Sequence, residues 1–313
     1  MKIDFWGVRG SIPTPTAPSR IKSKISAIVQ QITPEDLISP ESRERFLAGL
    51  PPWLFGTVGG NSPCITLMFE NSNECIVFDC GSGLREFGLS QANEIKKLNR
   101  FNIFLSHFHW DHMQGLPFFV PAYNPANKID FYSPVGNLEQ IISGQMVYPY
   151  FPVTIDVMGA KRIYHYMENS VDVCGCNITM RKMNHPGDSY AYCVNENGKR
   201  FVYATDTELT SADFEKTEEN TAFFKDADVI VIDCQYTLGE AIQKYNWGHS
   251  AFSLAVDFAA NWGIKHMVMF HHDPGYDDQK LYGILQSARW YMERMNITGI
   301  EVTLAYEGLE INI

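Results

Sequence analysis

Ser106-His107-Phe108-His109-Trp110-Asp111-His112 follows directly on the apolar run Phe101–Leu105. Three imidazoles and one carboxylate thus stand within six residues, at the end of a segment that reads as a buried strand. On an extended backbone alternate side chains share a face, so His107, His109 and Asp111 point one way and His112 begins the turn into a helix. Imidazole nitrogen and carboxylate oxygen are the donors that zinc and neighbouring divalent metals accept. A short loop carrying such donors fixes much of a site before any long-range contact forms. The stretch is read as the main ligand loop of a metal centre.

Further ligands belong at the ends of other strands, where a rigid scaffold presents its loops. Three residues meet that condition. His185 follows the strand expected over Asn177–Met183, Asp206 follows Arg200–Ala204, and His271 follows His266–Phe270. The set predicts two ions. His107, His109 and His185 would hold the first, and Asp111, His112 and His271 the second, with Asp206 between them. His272 is the alternative to His271, because alternation turns one inward and the other outward.

The rest of the chain reads as two strand-rich halves with interleaved helices. In the first, Lys2–Val8, Cys64–Glu70, Cys75–Asp79, Asn102–Leu105 and Ile129–Tyr132 read as strands. In the second, the strands are Ile163–Met167, Asn177–Met183, Tyr190–Asn195, Arg200–Ala204, Val229–Asp233, His266–Phe270, Ile300–Ala305 and Leu309–Ile313. Asn197-Gly198 is a strong hairpin turn. Helices are expected over 211–225, over Ser250–Asn261 with Ser250 as the cap, and over Asp277–Met295. No linker interrupts the pattern, so residues 1–313 are expected to form a single domain. Residues 17–52 stand apart as an inserted helical arm, with Ile21, Ile25, Ile28 and Ile32 at helical spacing. Such an arm would cover a sheet edge, close over the site as a lid, or form a homodimer contact.

With 45% apolar residues in 313, the chain can bury a large core, and a net charge of −11 argues against a broad polynucleotide-binding face. The seven cysteines are scattered and odd in number, as expected of reduced thiols in a cytoplasmic protein. Cys174-Gly-Cys176 lacks the second pair that a soft-metal site needs. No apolar run approaches a membrane span, so no membrane partner is expected.

The H-x-H-x-D-H loop at 107–112, with His185, Asp206 and His271 in that order, resembles the metallo-β-lactamase fold. It is most similar to the ribonuclease Z-like and cyclic nucleotide phosphodiesterase-like branch. Gly7-Val-Arg-Gly-Ser11-Ile-Pro13, Gly59-Gly-Asn-Ser62 and Asp79-Cys-Gly-Ser-Gly83 share in the likeness, which spans all but the arm. The resemblance implies an α/β (α+β) four-layer αββα sandwich with metals at one edge of its two sheets. It also implies a binuclear hydrolase in which a metal-bridging hydroxide cleaves a phosphodiester.

Two divalent ions are expected as cofactors, zinc first, with manganese or iron accepted by the same donors. Asp111 would act in the chemistry as well as ligate. His249, in Trp247-Gly-His249-Ser250, resembles the element that this branch places over the leaving group, and Asp233 would orient it. Asp79 would accept an N–H from a ligand histidine. Ribonuclease Z proteins hold tRNA with a long arm between the third ligand histidine and the bridging aspartate; here only the 20 residues 186–205 lie there. A small or cyclic phosphodiester is therefore the expected substrate, with Tyr148, Tyr150, Phe151 and Trp247 available to stack on a base. A ribonuclease Z-like RNA-processing endonuclease and a non-catalytic metal-binding scaffold are the alternatives.

Overall fold

Apolar runs such as Val229–Ile232 contain no polar position because each strand is buried on both faces. Ile230 and Ile232 enter one core while Val229 and Val231 enter another. Cys75 and Val77 likewise face a third core, and Ile76 and Phe78 face the second. Three cores separated by two sheets require four layers.

The computed structural model describes residues 1–313. Its strands in the first half are β1 (Lys2–Gly7), β2 (Cys64–Met68), β3 (Glu74–Phe78), β4 (Arg100–Phe104), β5 (Lys128–Ser133) and β6 (Lys161–Tyr166). Then come β7 (Ser170–Val173), β8 (Cys176–Met183), β9 (Ser189–Glu196), β10 (Lys199–Ala204), β11 (Val229–Asp233), β12 (His266–Phe270), β13 (Glu301–Leu304) and β14 (Glu310–Asn312). One sheet has the order β14-β1-β2-β3-β4-β5-β6 and the other β13-β12-β11-β10-β9-β8-β7. Aromatic rings join them, as where Phe78 stacks on Tyr203 with centroids 5.0 Å apart. Helices Gly83–Leu89 and Leu138–Gly144 cover the first sheet; Phe252–Trp262 and Asp278–Arg294 cover the second. This is the αββα sandwich expected from the sequence.

Pairings β3–β4 and β10–β11–β12 are parallel, and β8 runs with β10 through two antiparallel pairings to β9. The C-terminal ends of these strands lie together at one rim. Asp79, Asp206 and His271, just past the ends of β3, β10 and β12, have positive φ of 62°, 46° and 59°. Non-glycine residues rarely adopt that conformation, and it turns each side chain sharply off its strand.

Several sequence expectations are corrected. The four-residue edge strand β7 was not anticipated, and the stretch 211–225 divides into helices Ser211–Phe214 and Glu218–Phe224. Ser250 does not cap the next helix; Ala251 holds that position, and the Ser250 hydroxyl instead donates to Thr207 O and accepts from Leu209 N. The arm forms helices Pro18–Gln31 and Pro40–Gly49; Ile21 (48%) and Ile25 (56%) stay exposed, and Ile28 and Ile32 are half-buried. It is tethered by Lys24 to Asp278 at 2.5 Å and Arg20 to Asp277 at 3.1 Å. No helix is long and apolar enough to cross a membrane.

Candidate metal centre

Four strand ends deliver all seven predicted ligands to one place. The loop after β4 carries His107, His109, Asp111 and His112, while β8, β10 and β12 are followed by His185, Asp206 and His271. Asp79 after β3 supports them from behind. The donor atoms form two overlapping groups, His107–His109–His185–Asp206 and Asp111–His112–Asp206–His271, and within each group they lie within 4.8 Å of one another. Only His109 is exposed; the other six are buried.

Asp206 belongs to both groups, one oxygen to each. Its Oδ1 stands 3.1 Å from the Nε2 atoms of both His112 and His271, and its Oδ2 stands 3.6 and 3.8 Å from those of His107 and His185. His271, not His272, is the inward histidine, because the positive φ breaks strand alternation there. His272 is buried away from the cluster, with Nε2 donating to Ala305 O.

The residues fit a pair of divalent ions. His107 Nε2 and His112 Nε2 are buried yet have no hydrogen-bond partner. His112 Nε2 lies close to Asp206 and to Asp111 Oδ2 (3.3 Å) but is aligned as a donor to neither. Buried polar nitrogens are rarely left unpaired, and here both look into a cluster of oxygen and nitrogen lone pairs. The opposite nitrogens of four of these histidines are held: His107 Nδ1 by Ser106 Oγ (3.0 Å), His112 Nδ1 by Asp79 Oδ2 (2.8 Å), His185 Nδ1 by Gly248 O (2.9 Å) and His271 Nδ1 by Gln235 Oε1 (3.0 Å). Such contacts fix each ring so that its other nitrogen points at a cation.

Asp79 is itself locked, accepting from Ser106 N and Ser106 Oγ and from the Tyr203 hydroxyl, each at 2.7 Å.

Charge agrees with this arrangement. Burial opposes ionisation of Asp206 and Asp111, but the surrounding imidazoles outweigh it and hold both carboxyls below their ordinary range. Burial also works against a charged His112, yet Asp206, Asp111 and Asp79 raise it well above an ordinary histidine. Buried carboxylates thus gather positive charge among them, as they would around a metal ion. His107, His109 and His185 are pushed down, chiefly by burial, towards the neutral form that ligates.

Beside the cluster lies a cavity of about 430 Å³ whose lining includes His109, Asp111, Asp206, His271 and His249. His249 Nδ1 is 2.7 Å from Asp233 Oδ2, and its ring stacks on His271 with centroids 5.0 Å apart. Apart from Asp79, which holds His112 Nδ1 as expected, sequence reading missed the groups that aim the ligands without ligating. Ser11 N donates to Asp111 Oδ2 at 2.7 Å, while Gln235 and Gly248 hold histidine rings. Gly10 and Gly248 were the available signals. A Cβ on Gly10 would lie 2.5 Å from the His271 ring, and one on Gly248 would lie 2.2 Å from His185 Nδ1. Cys174 and Cys176 join no group of metal-capable residues.

Comparison with known proteins bears on the family and the fold. Residues 74–272 match the Beta-lactamase superfamily domain. Ribonuclease Z of Streptococcus equi subsp. equi is 24% identical over 257 residues, covering 67% of this chain and 82% of that protein. Human tRNase Z, short form, superposes with a TM-score of 0.63 at 19% identity, covering 100% of this chain and 99% of that one. Unliganded yeast PDE1 gives 0.63 at 14% identity, covering 100% and 99%. The chain belongs to the beta-lactamase superfamily and has the metallo-β-lactamase fold.

Proposed function

We propose that the chain is a two-metal phosphodiesterase acting on a small or cyclic phosphodiester. The observation that carries this reading is the division of Asp206 between two donor groups, one carboxylate oxygen to each. His107, His109 and His185 would hold one divalent ion and Asp111, His112 and His271 the other, zinc being the first choice for this nitrogen and oxygen set. Such ions supply Lewis acidity towards phosphoryl oxygens and a nucleophilic water at neutral pH.

The protein's own groups do the rest. Ser11 N donates to Asp111 Oδ2 and fixes that carboxylate in place. Asp233 holds His249 Nδ1, leaving Nε2 as the nitrogen free to face the cavity. Burial opposes charge on His249, but Asp233 outweighs it and raises the imidazole above its ordinary value, which favours the proton-bearing ring. His249 would give that proton to the departing alkoxide oxygen, and Asp233 would stabilise the proton-bearing ring beforehand.

Ribonuclease Z among the relatives favours RNA as a second substrate class. Two features weigh against it. The 20 residues between His185 and Asp206 hold only the β9–β10 hairpin, and no lysine or arginine lines the cavity beside the cluster. The decisive experiment measures metal per chain and hydrolysis of bis(p-nitrophenyl) phosphate for wild type and His109→Ala. The variant should lose one ion and its turnover; full turnover with unchanged metal would overturn the proposal. A panel of cyclic nucleotides run beside precursor tRNA separates the two substrate classes.

A further inference from the structure

The two spacers inside the ligand loop are both aromatic, Phe108 and Trp110, and Trp110 is 87% exposed. Contiguous exposed apolar patches, unlike scattered single residues, mark sites of interaction. Both line the cavity beside the metal ligands, and both also line an adjoining groove of about 660 Å³. The far walls of that groove are Phe118, Tyr150 and Phe151, with Tyr150 itself 84% exposed. No charged side chain lines it. Besides the Tyr150 hydroxyl, its polar side-chain groups are the amides of Gln114 and Gln145. Gln114 spends its nitrogen on Ser62 Oγ at 2.9 Å, which leaves its carbonyl oxygen, whereas the Gln145 nitrogen is buried without a partner.

These features select a ligand. Aromatic walls without charge suit a flat, neutral ring, since every such ring offers a face for stacking. An unspent amide donor and a free amide acceptor suit a ring whose edge carries hydrogen-bonding atoms. A nucleobase has both properties. A polynucleotide would need cations along its backbone, and neither the groove nor the cavity has a lysine or arginine. His249 lines the cavity but not the groove. A substituent in the groove is therefore on the ester group that stays on phosphorus, away from the proposed proton donor.

We infer that the groove between Trp110 and Tyr150 is a subsite for a nucleobase-like heteroaromatic ring carried on the retained substituent of the phosphodiester. The inference rests on the hydrolase reading for its reaction but stands on separate residues. Two esters with one leaving group test it: thymidine 5′-(p-nitrophenyl phosphate) and methyl p-nitrophenyl phosphate. The kcat/KM ratio should favour the thymidine ester in the wild type. Trp110→Ala should cut that ratio about tenfold, or ~1.4 kcal/mol. Trp110→Phe should restore most of it, and Gln145→Leu should lower it severalfold.

A ratio near one in the wild type, or one unmoved by Trp110→Ala, overturns the subsite even when hydrolysis is intact. If neither ester is cleaved, the hydrolase reading fails by itself. Calorimetry with thymidine 5′-monophosphate against methyl phosphate then decides the subsite. A preference for the nucleotide that Trp110→Ala removes upholds it, and no preference refutes it.

Discussion

Gly248→Ala tests the centre without touching a proposed ligand. Gly248 has φ +85°, and a Cβ there would lie 2.2 Å from His185 Nδ1 and 2.5 Å from Pro186 Cδ. Ordinary contact begins at 3.4 Å, so either the ring or the loop must move by about 1.2 Å. A zinc–imidazole bond is ~2.0–2.1 Å and tolerates ~0.2 Å of error, so a shift of this size takes His185 out of reach. The left-handed backbone adds roughly 1–2 kcal/mol of strain for alanine. The shift also breaks the contact from His185 Nδ1 to Gly248 O, and loss of such an orienting partner alone costs about 10–100-fold in metal affinity.

Metal per chain after equilibrium dialysis, measured by elemental analysis, should fall from two towards one, because Asp111, His112 and His271 are not disturbed. Circular dichroism separates this outcome from unfolding. A folded variant that keeps two ions at wild-type affinity would refute the account of how His185 is aimed.

Three other outcomes are expected. His249→Ala should retain metal and slow esters with alkoxide leaving groups by about 10²–10⁴-fold. Nitrophenyl esters should suffer much less, and equal slowing of both would remove the acid role. Asp79→Ala frees His112 Nδ1, Ser106 and Tyr203 at once, and should weaken metal binding by about 10–100-fold in competition with a chromogenic chelator. Gly283→Ala lies in the helix Asp278–Arg294 with nothing within 4 Å of the new Cβ, and should stabilise the fold by roughly 0.5–1 kcal/mol in urea melts.

What could be read from the chain was local or strongly periodic. The histidine loop announces itself because four donors fall within six residues, and β11 or β12 because burial on both faces leaves no polar break. Sheet membership is different. The spacing of apolar residues does not reveal that β6 belongs with β5, or that β14 returns to pair with β1. The edge strand β7 escapes notice because Ser170–Val173 is short and half exposed. His271 and His272 could not be separated by parity, since a positive φ at His271 resets the alternation. Ser250 looked like a cap because a helix follows, but its hydroxyl is engaged with the loop after Asp206. Backbone donors such as Ser11 N carry no residue-type signal at all. Of the aromatics expected to stack, Tyr150 and Phe151 line the groove beside the ligand loop, while Tyr148 and Trp247 do not.

One asymmetry of the donor groups bears on the practical handling of the protein. The group containing His109 has an exposed member, whereas Asp111, His112, Asp206 and His271 are each at most 5% exposed. Exchange with solvent should therefore be fast at the outer position and slow at the inner one. Brief chelation followed by cobalt would then give a heterometallic protein, with a spectroscopic reporter placed beside His109 and the original ion left underneath.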